Sequence, residues 1–237
     1  MIHHNDNPFL KVIDKFMKLK EGYVGDPYIY LGAKLKKIQM PKGVWCWSLS
    51  PSRYIQEAVR NCKKHLKENF ADEYDLTKNA PNPFPLGYEA ETDVSPLLPD
   101  DKASYFQTVM RVMRWMIELG RIDIAVEVSM LSSFLAMPRN GHMLAALFIM
   151  SYLKVRHNSR ICLDPTYPDI DQKKFMHAAN WTAFYGDVEE AIPVIAPKPL
   201  GKGVDLRMFV NSDHTRDKTN RRSRTGYLIF LNMDLNG

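Results

Sequence analysis

Residues 105–154 read YFQTVMRVMRWMIELGRIDIAVEVSMLSSFLAMPRNGHMLAALFIMSYLK, and the pattern of apolar residues in this stretch decides the fold. Apolar side chains recur there at the spacing of one helix face. The pattern predicts three helices, which span 102–119, 122–137 and 141–156. Pro138 and Gly141 separate the second helix from the third. Helices joined by such short connections pack as antiparallel neighbours, so we expect a helical cluster.

Charged residues within this block are few and grouped. The first helix carries a single polar stripe, made of Gln107, Arg111, Arg114 and Glu118. The third ends in a basic segment, Lys154 to Arg160, which suits the negative end of a helix dipole. Asp100 and Asp101 open the first helix, where acids cap free amides, and we interpret them as capping residues rather than as a metal-binding pair.

The chain before this block predicts a helix, a β-hairpin and a second helix. Apolar spacing predicts a short amphipathic helix over 8–20, and alternation around Ile29 to Lys36 predicts a strand that returns at 44–48. Ser50-Pro51 then opens a helix with cations off its apolar face; these are Arg53, Arg60, Lys63, Lys64 and Lys67. The charges indicate either a solvated exterior or a surface that follows a nucleic-acid backbone.

The last third of the chain is irregular over 164–203, apart from a short helix predicted near 187–192, and then contains two predicted strands, 204–210 and 225–232. Asp213 follows the first strand. A single acid there is either a turn former or a metal ligand. The connecting loop interleaves cations with hydroxyl and amide groups, a combination that binds phosphate oxygens but also keeps a hairpin loop soluble.

The amino-acid composition and net charge exclude several classes of protein. The 237 residues are 45% hydrophobic, which is enough for a core, and the formal net charge of +5 is compatible with a polyanionic partner without demanding one. Three distant cysteines indicate neither a zinc site nor a disulfide framework. The start lacks a signal peptide, and the longest apolar run, 143–150, is far shorter than the roughly 20 residues that span a bilayer. We therefore expect an intracellular protein, cytoplasmic or nuclear, with no membrane partner.

Four stretches, in this order, resemble the polyprotein of copia-type retrotransposons. Tyr30-Leu31-Gly32 resembles its "YLG" strand, and Ser52-Arg53-Tyr54-Ile55 resembles a helix start of its reverse transcriptase. The block from Tyr105 through Arg121-Ile122-Asp123-Ile124 to Tyr152-Leu153-Lys154 resembles the helical region that follows. The segment from Asn211 to Tyr227 resembles the beginning of its ribonuclease H domain.

The resemblance implies an α+β fold made of pieces of two enzymes. It implies a palm remnant of helix plus β-hairpin in 1–70, a linker in 71–100, a helical thumb and connection in 101–163, an irregular linker in 164–203, and an incomplete ribonuclease H-like sheet in 204–237. The parent enzymes use Mg²⁺ and act on an RNA or DNA template-primer or hybrid duplex, so the resemblance implies this cofactor and this partner, and no small-molecule substrate.

The same resemblance implies that both active sites are incomplete. The polymerase aspartates precede the first residue, Asn211 stands where the family has its first ribonuclease H aspartate, and arginines replace glycines at 111 and 216. An amide cannot match a carboxylate as a ligand of a hard cation. Asp213 is the catalytic and metal-binding residue that remains. The nucleic-acid-binding candidates are Lys154, Arg156, Lys218, Arg221, Arg222 and Arg224.

Three hypotheses stay open from the sequence. The chain is an inactive fragment of an RNA-directed DNA polymerase with ribonuclease H, or a non-catalytic module that binds nucleic acid independently of sequence, or an inert translated relic. The relic hypothesis draws on the hairpin, which without the other palm strands is expected to expose an unpaired edge.

Overall fold

A computed structural model describes residues 8–18, 26–41, 43–70, 73–163, 182–186, 193–196, 204–212, 221, 223 and 225–233. These residues belong to two compact units, Met1–Pro165 and Thr166–Gly237. Helices and antiparallel sheets occur together, so the expected α+β class is confirmed.

The first unit holds five helices and four strands within its described residues. The helices are α1 (Pro8–Phe16), α2 (Ser52–Asn69), α3 (Asp100–Glu118), α4 (Ala125–Ser132) and α5 (Asn140–Val155). The strands are β1 (Ile29–Tyr30), β2 (Ala33–Gln39), β3 (Trp45–Ser50) and β4 (Ile161–Leu163). Short 3₁₀ turns lie at Ala90–Thr92 and Ile122–Ile124.

The four strands form one antiparallel sheet in the order β1-β2-β3-β4. β2 and β3 pair from Lys34↔Ser50 to Gln39↔Trp45, so the predicted hairpin is present, but its first strand, predicted around Ile29 to Lys36, is divided into β1 and β2 by a turn. β1 joins β2 through Leu31 and Gly32, both at positive φ (49° and 92°), as a tight hairpin turn requires. Leu31 has a side chain that disfavours this conformation, so the turn stores strain there.

The hairpin edges that were expected to be unpaired are covered in part in this sheet. After α5 the chain returns and β4 pairs with β3, with Ser48 opposite Cys162. The hairpin is thus flanked by two short outer strands, of two and three residues, while residues 36–39 of β2 have no strand partner on their outer side among the described residues. Very short edge strands limit edge-to-edge association.

The core lies between α2, α3, α4 and α5. Among its completely buried side chains are Met110, Met113, Met116, Leu131 and Ile149. The predicted polar stripe of α3 lies outside this core, since Gln107, Arg111, Arg114 and Glu118 are all exposed. Arg111 is exposed and has regular helical backbone, so its side chain meets no steric conflict in α3.

The segment 73–99, predicted to lie in a linker, contributes to this core. Tyr74, Leu76 and Ala90 are buried within it. The second helix also differs from its predicted span of 122–137, because a 3₁₀ turn replaces its start and α4 ends at Ser132. There the Ser132 hydroxyl donates to the carbonyl of Val128 (2.7 Å), and Phe134 and Leu135 pack in the following turn.

Hydrogen bonds connect the N-terminus of α5 to residues 90–95. Nδ1 of buried His142 accepts the backbone N–H of Arg139 (3.0 Å), and its Nε2 lies 3.0 Å from the carbonyl of Ala90, so the proton is assigned to Nε2. The N–H of Gly141 donates to the Ser95 hydroxyl (2.8 Å). The Asp93 carboxylate accepts the N–H of Ser95 (2.8 Å) and lies directly against Gly141.

The described part of the second unit is mainly a β-hairpin. Its strands, β5 (Val204–Ser212) and β6 (Thr225–Met233), pair from Val204↔Met233 to Ser212↔Thr225 and confirm the two predicted strands. A four-residue helix, α6, spans Thr182–Tyr185. The helix predicted near 187–192 lies outside the described residues.

None of the helices in the described ranges is both long enough and apolar enough to cross a bilayer.

Replacing Gly141 with alanine is expected to lower the free energy of unfolding by about 1–3 kcal/mol, because a Cβ there would lie 1.8 Å from Oδ2 of Asp93. The carboxylate would have to leave its hydrogen bonds to make room. Urea denaturation followed by circular dichroism measures the loss. Gly226→Ala is the matched control, since no atom lies within 4 Å of its Cβ position. Equal stability of Gly141→Ala and the wild-type chain would contradict this packing.

Candidate nucleic-acid interface

Helix α2 separates apolar from cationic side chains. Ile55, Val59, Cys62 and Leu66 repeat every three or four residues and are buried in the core. The opposite side of the helix carries the exposed residues Arg53, Arg60, Lys63, Lys64 and Lys67. At 1.5 Å per residue these five cations extend over about 21 Å. The helix therefore presents a long row of positive charge on a rigid support.

Acidic residues do little to neutralise this row. Glu68 lies 3.9 Å from the Nζ atom of Lys64, but the two side chains are 73% and 59% exposed for Lys64 and Glu68. An exposed pair of this kind contributes little energy and is screened by salt. Helical periodicity puts Glu57 and Glu68 together at one edge of the row. The centre of the row stays positive.

The predicted site residues at the end of α5 lie beside the start of α2. Nδ1 of His157 is 2.9 Å from the Ser52 hydroxyl and 3.4 Å from Nε2 of Gln56. These contacts bring the segment that follows α5 against the first turns of α2. Lys154 is half-buried in the last turn of α5, whereas Arg156 and Arg160 are exposed.

We call the combined surface the basic face. It comprises Arg53, Arg60, Lys63, Lys64, Lys67, Lys154, Arg156 and Arg160. Two of its members, Lys154 and Arg156, were predicted as binding residues from the sequence.

A buried arginine fixes the backbone beneath one end of the basic face. The side chain of Arg121 is 1% exposed, and its guanidinium donates two hydrogen bonds to the Asp123 carboxylate, at 2.8 and 2.7 Å. Its Nη1 donates to the carbonyl of Arg156 (2.9 Å). Tyr152 donates its hydroxyl to the same carboxylate (2.9 Å). Arg121 therefore holds the main chain of residue 156 while the side chain of Arg156 points to solvent.

The carboxyl group of Asp123 responds to this environment with a lowered pKa. Burial acts to raise the pKa, but the hydrogen bonds and charge of Arg121 and the hydroxyl of Tyr152 outweigh it. The carboxylate is consequently ionised at neutral pH and balances the buried guanidinium.

The remaining predicted site residues divide between described and undescribed parts of the chain. Arg221 is exposed, precedes β6 and has a φ of 60°. Asp213, Lys218, Arg222 and Arg224 lie outside the described residues, as does Arg216. Asn211 lies in β5 opposite Gly226.

A magnesium site is not assembled by the parts of the chain that the structure describes. They contain no group of three or more His, Cys, Asp or Glu side chains that could hold a metal ion. The expectation of a metal rests on Asp213, which lies outside the described residues, and Asn211, two positions earlier in the sequence, has an uncharged amide.

Sequence reasoning missed Arg121, Asp123 and His157. The spacing Arg-x-Asp between two apolar helices was a usable signal for a bidentate pair, because a cation flanked by Gly120 and Ile122 must be paired if it is buried. The contact of His157 with Ser52 joins residues more than a hundred positions apart, and no local pattern indicates it.

Comparisons of the chain with protein-family models, with curated proteins and with solved structures find no match. The resemblance to copia-type polyproteins thus rests on the sequence motifs alone.

Asp123→Asn is expected to destabilise the first unit at pH 7 by about 2 kcal/mol, less than the roughly 3–5 kcal/mol typical of a broken buried pair because the Asp123 side chain is 34% exposed. The folded-state pKa lies below the unfolded one, so the ion pair contributes fully above about pH 4 and is lost as the pH falls through the folded pKa. The difference in the free energy of unfolding between wild type and variant should therefore become smaller in acid.

Urea denaturation at several pH values between about 7 and 3 measures this difference in the free energy of unfolding. Glu68→Gln, which alters an exposed pair, serves as the control and should stay close to wild type throughout. A difference in the free energy of unfolding that stays constant over this pH range would show that the charge of Asp123 does not stabilise the fold.

Proposed function

We propose that the chain is a non-catalytic fragment derived from a copia-type reverse transcriptase and ribonuclease H, and that its basic face binds the phosphate backbone of a nucleic-acid duplex. The observation that carries this proposal is the row of five exposed cations on α2, extended by the segment that follows α5. The derivation from a retrotransposon is supported by the four motifs in order along the chain.

The dimensions of the basic face suit a duplex. A duplex carries one phosphate charge per about 1.7 Å of axis, so about 12 charges lie along the roughly 21 Å of the row. The five cations of α2 can therefore each approach a phosphate. Phosphate contacts hold a protein on the duplex but carry no base information, so binding should be independent of sequence.

The side chains of the basic face also suit this role. Arginine and lysine neutralise phosphates and release condensed counterions, which makes binding steeply dependent on salt. Duplex backbone, with its high and regular density of phosphate charge, is therefore the ligand that this row of cations matches.

The hypothesis of an inert, partly folded relic has less support from the same residues. Across the described residues, no buried side-chain nitrogen or oxygen lacks a hydrogen-bond partner. The hairpin is flanked by β1 and β4, and four helices share one buried core. Satisfied polar groups and a closed core are typical of sequences that specify a single fold.

The chain is expected to give no primer extension on an RNA template with Mg²⁺ or Mn²⁺. Phosphoryl transfer of this kind uses two metal ions held by several carboxylates, and the described residues gather no such cluster. Gel analysis of a labelled primer, with an active reverse transcriptase as positive control, measures the activity. Extension above background that survives stringent purification would refute the claim that the chain is non-catalytic.

Neutralising part of the α2 row is expected to weaken duplex binding. The triple variant Arg60→Gln, Lys63→Gln, Lys64→Gln should lower the slope of log K against log salt by up to about 2.7, since each phosphate that is no longer neutralised reduces the slope by about 0.9. Fluorescence anisotropy with a labelled RNA–DNA hybrid, titrated with chain at several salt concentrations, measures both affinity and slope. Two hybrids of unrelated sequence should bind equally.

A matched control removes three exposed cations from elsewhere in the first unit. Lys78→Gln, Arg111→Gln, Arg114→Gln has the same net charge as the test variant and should keep most of the affinity and the salt slope. Equal losses in both variants would mean that only net charge matters and would overturn the assignment of the basic face. A wild-type chain that binds no hybrid at low salt would overturn the proposed binding function itself.

A further inference from the structure

The junction between β3 and α2 carries a serine that the fold does not use as a helix cap. The sequence there reads Ser50-Pro51-Ser52-Arg53, and a serine before a proline at a helix start is typical of an N-cap. In the structure Pro51 itself is the N-cap of α2, and no side chain caps the first turn. Ser50 is the half-buried last residue of β3, and its hydroxyl makes no hydrogen bond to another described residue. Capping therefore does not account for Ser50.

Positive charge surrounds the position of Ser50. Lys34 is exposed and lies directly opposite Ser50 in the pairing of β2 with β3, so the two Cβ atoms are about 4.5–5.5 Å apart. Arg53 follows three residues later and begins the cationic row of α2. The first turn of α2 contains no acidic residue, and its N–H groups form the positive end of the helix dipole. A negative group on Ser50 would be stabilised by all of these neighbours.

The residues after Ser50 also have the spacing that one class of protein kinases selects. Proline-directed kinases phosphorylate a serine or threonine that precedes a proline, and the cyclin-dependent members favour a lysine or arginine three positions after the acceptor. Pro51 and Arg53 meet both conditions. The chain has a second Ser-Pro step, Ser95-Pro96, but Leu98 occupies the third position there. The Ser95 hydroxyl is also engaged, because it accepts the N–H of Gly141 (2.8 Å).

We propose that Ser50 is phosphorylated by a proline-directed kinase and that the phosphate blocks the Arg53 end of the basic face. The kinase transfers the γ-phosphoryl group of a nucleoside triphosphate to Oγ of Ser50. A new P–O bond forms as the bond to the β-phosphate breaks, the hydroxyl proton leaves, and a nucleoside diphosphate is released. Phosphoserine carries about −1.5 to −2 charges at pH 7. It pairs with Arg53 and Lys34 and repels the phosphates of a duplex.

Only a short piece of structure has to open for a kinase to reach this segment. Kinases bind their acceptor segments in extended form, and β3 already holds Ser50 extended. Arg53 lies in the first turn of α2, which is held by the hydrogen bond from the N–H of Ile55 to the carbonyl of Pro51 (3.0 Å) and by the contact between Ser52 and His157 (2.9 Å). A helix end without a side-chain cap opens at low cost. The added phosphate then accepts hydrogen bonds from the same free amides.

Incubation of the full chain with a cyclin–kinase complex and ATP tests the modification, which does not depend on the proposed binding function. Intact mass and peptide mapping should show one phosphate per chain, on Ser50, and none on Ser95. Arg53→Gln should lower the initial rate about tenfold, as the loss of one charge-assisted contact does. Lys67→Gln, which removes a cation of the same row far from Ser50, is the matched control and should react like wild type. A wild-type chain that stays unmodified at Ser50, or that is modified equally at Ser95, would overturn the proposal.

The effect on binding rests on the proposed function and is measured separately. Anisotropy titrations with the RNA–DNA hybrid compare the chain phosphorylated on Ser50 with the same sample after phosphatase treatment. Phosphorylation should lower the slope of log K against log salt by about 0.9–1.8, as the loss of one or two phosphate contacts does, and phosphatase should restore it. Ser50→Asp should act in the same direction, whereas the uncharged Ser50→Asn should stay close to wild type.

The two experiments separate the possible failures. A fully phosphorylated chain that binds the hybrid as tightly as the dephosphorylated chain would overturn the claim that the phosphate blocks the basic face. A dephosphorylated chain that binds no hybrid would overturn the proposed function instead, while the mapping of phosphate to Ser50 would still decide the modification.

Discussion

The buried guanidinium of Arg121 is the constraint on which the first unit's arrangement depends. A cation that is 1% exposed must be fully paired, and here it is paired by groups from three places in the chain: the Asp123 carboxylate, the carbonyl of Arg156 and, through that carboxylate, the Tyr152 hydroxyl. The turn after α3 and the end of α5 must therefore meet at one point. That meeting point sets where the chain leaves α5, and hence where β4 joins the sheet and where His157 contacts α2.

The sequence was informative wherever structure followed from local periodicity. The positions of α2, α3 and α5, the β2–β3 hairpin, the β5–β6 hairpin and the exposed stripe of α3 all follow from spacing along the chain. β4 was missed because three residues carry too little pattern, and its pairing depends on a return across the helical cluster. The role of 73–99 was missed because its few apolar residues, such as Tyr74 and Leu76, are separated by prolines and polar residues.

In the candidate site, too, the features that follow from local patterns were predicted and those that depend on long-range contacts were not. Lys154 and Arg156 were found because cations at the end of a helix form a local pattern, and the cations of α2 were recognised as a distinct side of that helix. The sequence did not predict that the cations of α2 and those near the end of α5 form one surface. Their proximity depends on the hydrogen bond from Arg121 to the carbonyl of Arg156 and on the contact between His157 and Ser52. Helix α2 thereby has three separate roles: one side packs in the core, one side carries the basic row, and one side walls an apolar groove.

Lysine acetylation footprinting with and without a hybrid duplex tests the assignment of the basic face most directly, because it reports on individual side chains of the unaltered chain. We predict that Lys63, Lys64, Lys67 and Lys154 lose reactivity when duplex is bound and recover it in high salt, whereas Lys78, an exposed lysine away from the basic face, reacts equally in both states. Protection of Lys78 to the same degree as the α2 lysines, or no protection of the α2 lysines in a sample shown to be bound, would contradict the assignment.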